Sequence, residues 1–307
     1  MIDVCVIGYV TKDIVRINHH QKVLPGGTAY YTSLALKNLG LNVAVVTKIG
    51  EKDLHLIDEL KKKNITLFLT TNTSTTVFEN TYRKTLDGEK ERIQKVKSTA
   101  SPFLLNNIPE IYPKIFHLGP LVRGDINLFI FKLLAERATI CLDVQGFVRK
   151  IVNGWVKKED WKEKEKVLPY VSILKTDEIE AEILTGERDL KKAVKKLSSF
   201  GPREVIITSG SNGSLIFVEG EFYPVPAYPP EKFVDPTGCG DTYMAGYIYK
   251  KLKNSRLRTD FVEIGKFAAA VSSLKLAKHG PFEGTIKDVE DFLRKQNESS
   301  NNCCWKR

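Results

Sequence analysis

Asp241 and the glycines just before it carry the clearest chemistry in this chain, within the string Asp235-Pro236-Thr237-Gly238-Cys239-Gly240-Asp241-Thr242. Asp-Pro-Thr-Gly is turn chemistry, because Pro fixes φ and Gly accepts φ > 0. From Cys239 onward, Tyr243, Ala245, Gly246, Tyr247 and Tyr249 predict a helix with small residues where another backbone can approach. Gly238 and Gly240 then sit at a helix N-terminus, where unpaired N–H groups and the dipole favour an anion. A carboxylate in a first helical turn is also a good cap, and that is the plainer role for Asp241. The sharper role joins the two features. The amides of Gly238, Cys239 and Gly240 would hold charge developing on a transferred phosphoryl group, while Asp241 takes a proton from an attacking hydroxyl. Cys239 brings a thiol to the same N-terminus, where its pKa is expected to fall.

These residues need a scaffold, and the remaining chain reads as a regular one. Residues 2–7 form an apolar run ending at Gly8, a buried strand, and residues 14–17 predict a second, more exposed strand. Gly26-Gly27 opens a helix that ends at Gly40, residues 43–48 form the next strand, and Gly50 precedes another helix. Further strands are expected at 115–118, 140–144, 171–175, 205–208 and 214–218, with helices at 124–137, 160–168, 178–184 and 189–199. That alternation predicts an α/β fold, a doubly wound and mostly parallel sheet flanked by helices. Such sheets bind ligands beyond the C-terminal ends of their strands. Asp13 and Gln145 are therefore candidate substrate contacts, although each is equally readable as an ordinary loop residue. Residues 75–97 change character, alternating on both sides of Asp87-Gly88, which predicts a hairpin.

Composition narrows the options. The chain has 307 residues, 42% hydrophobic and 27% charged, ordinary values for a soluble globular protein. No apolar run reaches the ~18 residues of a membrane span. The five cysteines are odd in number and lack metal-ligand spacing, so free thiols in a reducing cytoplasm are expected. A net charge of +10 raises nucleic acid as a partner. The lysines at 157–166 are interleaved with acids, however, and those at 191–196 follow helical spacing. No basic–aromatic alternation suits a single strand, so neither nucleic acid nor membrane is expected as a partner. There is no Gly-x-x-x-x-Gly-Lys-Ser/Thr loop, and no Gly-x-Gly-x-x-Gly follows the first strand.

The string 235–242 closely resembles the Asp-Thr-x-Gly-Ala-Gly-Asp motif of ribokinase-like (pfkB-type) carbohydrate kinases. Gly26-Gly27 and the helix–Gly–strand–Gly-x-x-Asp layout after it resemble the family's N-terminal motif. Residues 177–180 resemble its Asn-x-x-Glu motif, and Thr208-Ser209-Gly210-Ser211-Asn212-Gly213 has the spacing of its phosphate loop. The resemblance covers residues 2–295. It implies one kinase domain over 1–296, with a small β-sheet lid built from about 13–24 and 75–97, and a polar tail at 297–307. In the family the lid also provides a dimer contact, and homodimerisation through it is implied here.

The same resemblance implies an ATP-dependent phosphotransferase acting on a hydroxyl of a small polyol or sugar. Asp241 would be the base and the 238–240 amides the anion hole. Asp13, Gly26, Gly27, Tyr31 and Gln145 would meet the acceptor, and Thr208, Gly210, Gly213 and Thr237 the nucleotide. Glu180 and Asp177, the latter in place of Asn, would serve Mg²⁺, and a monovalent cation belongs to the implied set. Tyr31 stands where ribokinase carries an Asn, which points away from D-ribose. The segment 142–149 looks like that of plant inositol kinases, so an inositol-like ring ranks first. A nucleoside, stacked on Tyr30, Tyr31 or Phe147, is the alternative, and a non-catalytic sugar-binding regulator is the rival from another class.

Overall fold

The structure is a computed structural model and describes residues 1–17, 20–84, 90–254 and 260–303. Its strands in chain order are β1 (Val4–Gly8), β2 (Thr11–Ile17), β3 (His20–Gly26), β4 (Val43–Lys48), β5 (Thr66–Thr70), β6 (Val77–Lys84), β7 (Lys90–Ser98) and β8 (Ile115–Gly119). They continue with β9 (Thr139–Asp143), β10 (Arg149–Val152), β11 (Trp155–Lys158), β12 (Ile173–Asp177), β13 (Glu204–Thr208), β14 (Ser214–Val218) and β15 (Glu221–Val225). The helices are α1 (Thr28–Asn38), α2 (Asp58–Lys62), α3 (Phe129–Ala135), α4 (Lys164–Val167), α5 (Glu178–Thr185), α6 (Leu190–Ser199), α7 (Cys239–Lys253), α8 (Phe261–Leu276) and α9 (Ile286–Cys303).

The main sheet has the order β15-β14-β13-β12-β9-β8-β1-β4-β5. Its pairs from β13 across to β5 are parallel, and β14 and β15 add an antiparallel edge. Parallel strands covered on both faces need apolar side chains on both, which is why β1 and β4 are buried along their whole length. One face packs Val4 and Val6 against Leu34 of α1, Tyr247 and Ile248 of α7 and Val271 of α8. The other packs Cys5, Ile7 and Leu142 against Phe131 of α3, Ala181 of α5 and Val194 of α6. The doubly wound architecture expected from the strand–helix alternation is the one found. Strand order reverses between β1 and β8, whose last residues, Gly8 and Gly119, are register partners. A crevice therefore opens beyond them.

The second sheet has the order β10-β11-β7-β6-β2-β3. It contains the β2–β3 pair and the β6–β7 hairpin of the expected lid, with β2 and β6 parallel. The Asp87-Gly88 turn lies outside the described residues. The β10–β11 hairpin was not expected, and the region from 160 holds only the short α4 in place of a longer helix. Asn153-Gly154 was the available signal, since both residues adopt positive φ (52° and 79°) as a tight hairpin turn requires. Helix α9 runs to Cys303, past Gln296. No helix among the described residues is long and apolar enough to cross a membrane.

Candidate active site

Helix α7 begins as the sequence predicts. Gly238 is its N-cap in the left-handed region, at φ 76°. A Cβ at Gly238 would sit 2.4 Å from the ring of Tyr31, so the loop can lie on that ring only without a side chain. The loop is also tied to α8. The amides of Val234 and Asp235 donate to the Leu276 carbonyl at 3.0 and 3.2 Å, and Ser272 Oγ donates to the Cys239 carbonyl at 3.0 Å. Within the turn the Asp235 carboxylate accepts from the Thr237 amide at 2.9 Å. The Cys239 amide is taken up by the Pro236 carbonyl at 3.2 Å, whereas the amides of Gly238 and Gly240 have no partner among the described residues. The expectation for the thiol fails. Burial pushes Cys239 up to about 11, outweighing the opposite pull of Lys275 and Ser272, and its Sγ lies 3.9 Å from the Asp235 carbonyl and 4.0 Å from the Ser272 carbonyl.

Asp241 lies in the first turn of α7, only partly exposed. Thr28 at the start of α1 lies close enough to its carboxylate to lower its pKa, and Thr32 donates to its backbone carbonyl at 3.3 Å. Thr28 in turn packs on Gly119, where a Cβ would fall 2.1 Å from its side chain, so Asp241 stands over the switch point of the sheet. Burial and the nearby Asp143 raise the Asp241 pKa to about 6, against the pull of Thr28, Lys175 and Arg149. A carboxylate at that value is largely ionised at neutral pH, yet basic enough to accept a proton in a transition state.

Lys175 is the residue that the sequence reading missed. It lies on β12 directly beside Asp143 of β9, its register partner. Its Nζ is 2.9 Å from Asp143 Oδ2, with both side chains almost wholly buried. A Cβ on Gly240 would come within 2.9 Å of the same Nζ, so the ammonium lies against the start of α7. Burial works against the charge, but Asp143 and Glu180 outweigh it and hold the Lys175 pKa above its ordinary value. The available signal was a lysine inside a strand, Ile173-Leu174-Lys175-Thr176-Asp177, that is otherwise buried.

On the acceptor side, Asp13 is buried on β2 and accepts from Thr11 Oγ1 at 2.7 Å. Gly26, paired with Thr11 across β2 and β3, would bring a Cβ within 2.5 Å of the Asp13 carboxylate. Gly27, at φ 85°, would place one 2.3 Å from the Tyr9 carbonyl. Tyr31 joins the two halves, for its hydroxyl pKa is raised by burial and then by the charges of Asp13, Asp235 and Asp241. Gln145 is half-buried just after β9, with its backbone N–H donating to Asp143 Oδ1 at 3.2 Å.

The nucleotide candidates lie at the far end of the same strand edge. Thr208 ends β13 as the register partner of Asp177, and the Ser209 amide closes the following loop on the Gly213 carbonyl at 2.8 Å. Gly210 and Gly213 both have positive φ, while Thr237 is half-buried on the α7 side. Asp177 and Glu180 form a reciprocal capping box at the start of α5, each carboxylate accepting the other's amide at 2.7 and 3.0 Å. Burial raises the Glu180 pKa, and its Oε1 is buried without a hydrogen bond from any of the described residues. No cluster of three His, Cys, Asp or Glu side chains forms a metal cage among the described residues. Two other candidates are committed elsewhere: Tyr30 hydrogen-bonds Glu59, and Phe147 stacks on Trp161 at 3.9 Å between centroids.

A doubly wound sheet with a second, smaller sheet and a helix start whose unpartnered amides lie near a carboxylate is the arrangement expected of a ribokinase-type phosphotransferase. The family model described as pfkB family carbohydrate kinase matches residues 1–287, and the chain belongs to that family. It is similar to a cytidine kinase of Thermococcus kodakarensis, 28% identical over 265 residues, 81% of this chain and 88% of that one. It is likewise similar to inositol 3-kinase of Arabidopsis thaliana, 28% identical over 73% of this chain and 60% of that one. Among solved structures, a pyrophosphate-dependent kinase of the ribokinase family, complexed with a pyrophosphate analog and myo-inositol, aligns with a TM-score of 0.83. That match is 28% identical and covers 94% of this chain and 99% of the other. The protein is therefore a carbohydrate or nucleoside kinase of the ribokinase type.

Proposed function

We propose that this kinase transfers the γ-phosphoryl group of ATP to a hydroxyl of a small polyhydroxylated ring, an inositol-like polyol first. The observation that carries the reading is the meeting of Asp241 with the ammonium of Lys175 and the free amides of Gly238 and Gly240 at one helix start. Asp13 accepts hydrogen bonds from the acceptor's hydroxyls. Asp241 takes the proton of the attacking hydroxyl as its oxygen bonds to phosphorus and the bond to the leaving phosphate breaks. The two amides and Lys175 counter the negative charge on the transferred group. The lid keeps water, a competing acceptor, away. Mg²⁺ fits Glu180, whose buried Oε1 lacks a partner among the described residues, and when bound it supplies positive charge to the donor phosphates. Asp177 stands beside it, one carboxylate oxygen already committed to the α5 cap.

The acceptor ranking draws support from three aromatic residues. Tyr30, Tyr31 and Phe147 are all buried, engaged respectively with Glu59, the Gly238 backbone and Trp161, so none is free to stack a base. The cytidine kinase relative favours a nucleoside as second reading, and the pyrophosphate-dependent kinase favours pyrophosphate as second donor. The test is kcat/KM for inositol, ribose, fructose, adenosine and cytidine with ATP or pyrophosphate as donor. Inositol with ATP is expected to lead. A nucleoside preferred by more than about tenfold, or about 1.4 kcal/mol, overturns the acceptor, and turnover only with pyrophosphate overturns the donor.

A further inference from the structure

We propose that the ammonium of Lys275 is a built-in replacement for a monovalent cation at the loop that opens α7, so that this kinase needs none from solution. The inference rests on the phosphotransferase reading and concerns what holds its anion hole in place.

Lys275 lies in the last turn of α8, and its side chain is 0% exposed. Its Nζ donates to the Asp235 carbonyl at 2.7 Å and stands 3.5 Å from the Lys278 carbonyl and 3.6 Å from Asp235 Oδ2. It also lies 5.9 Å from the centre of the Tyr31 ring, the ring on which Gly238 rests. Two carbonyls and a carboxylate are the oxygen donors that a hard cation takes, and a π face adds to the attraction. A monovalent ion does not fit there, because Nζ already stands within 2.7–3.6 Å of all three oxygens.

Burying an ammonium is costly unless its hydrogens find acceptors, and here each acceptor belongs to the active-site loop or its anchor. Asp235 is the first residue of the turn whose later amides, Gly238 and Gly240, face the phosphoryl site. A cation fixed on the Asp235 carbonyl and carboxylate therefore fixes the turn. Because the cation is covalently attached, it cannot be diluted out.

The first test uses the unaltered protein, assayed in potassium, sodium and tetramethylammonium chloride at equal ionic strength. Rates are expected to agree within about twofold, since only screening changes. A potassium activation above about tenfold overturns the proposal. The second test uses Lys275→Ala, which empties the cradle. Its thermal unfolding temperature is expected to rise with potassium or ammonium but not with tetramethylammonium, and its activity to recover in parallel. A variant equally indifferent to all three cations overturns the proposal as well. The unfolding measurement needs no turnover, so it separates failure of this inference from failure of the kinase reading. The salt series on the unaltered protein decides the matter if the variant does not fold.

Discussion

Replacing Lys175 with Met removes the charge and keeps most of the volume. At 2.9 Å, in an effective dielectric of about 20, its attraction to Asp143 is about 6 kcal/mol before desolvation. Removing one partner of such a buried pair costs about 3–5 kcal/mol, because the remaining carboxylate is left uncompensated. A second effect falls on the base. Asp241 sits at about 6 with Lys175 pulling it down and Asp143 pushing it up. Losing a nearby opposite charge raises a carboxylate by about 1–3 pH units. Thr28 and Arg149 still hold Asp241, so the low end applies and the value moves to about 7. The base works only when deprotonated, so activity falls as pH drops through its pKa, tenfold per unit below it. The unaltered enzyme should therefore lose kcat/KM below about pH 6, and Lys175→Met should lose it about one unit higher. On the plateau the variant should also be slower by about 10²–10³, the usual loss for a charge aimed at the transition state. The assay is a kcat/KM profile between about pH 5 and 9, with Lys175→Arg as a charge-keeping control that also covers a poorly folded Met variant. An acid limb that stays near 6 in Lys175→Met, with a plateau within a factor of about ten, would refute the influence of Lys175 on Asp241 and on the transferred group.

Asp241→Asn should lower kcat by about 10²–10⁴ while donor binding, measured by calorimetry, changes little. A variant keeping a tenth of the rate rules out the base role. Gly238→Ala must place a β-carbon at φ 76° and against the Tyr31 ring. It should cost about 1–3 kcal/mol in denaturant unfolding from backbone strain alone, plus activity. Unchanged stability and rate would mean that the loop does not rest on Tyr31. Cys239, with its thiol pushed up to about 11, should be alkylated more slowly at neutral pH than a small-molecule thiol. Rapid labelling found by peptide mapping would mean that the thiolate is better stabilised than its packing indicates.

Much of this protein is set by order along the chain. The strand–helix alternation is enough for the doubly wound sheet, because short apolar runs between amphipathic segments have few other ways to be buried. The Asp-Pro-Thr-Gly-Cys-Gly-Asp string is enough for the α7 start, because turn, positive-φ glycine and helix follow from local backbone preference. Other features exist only across the fold. Lys175 reads as the end of a strand until the register of β9 against β12 brings it to Asp143. Tyr30, Tyr31 and Phe147 read as possible stacking surfaces until packing buries all three. Cys239 has the sequence of a reactive thiol, yet the approach of α8 buries its sulfur. Lys275 is one lysine among many in a basic chain until that same approach encloses its ammonium with Asp235. Backbone conformation is settled within a few residues, whereas burial and charge pairing depend on contacts between segments far apart in the chain. The helix start could therefore be read in advance, and the charges around it could not.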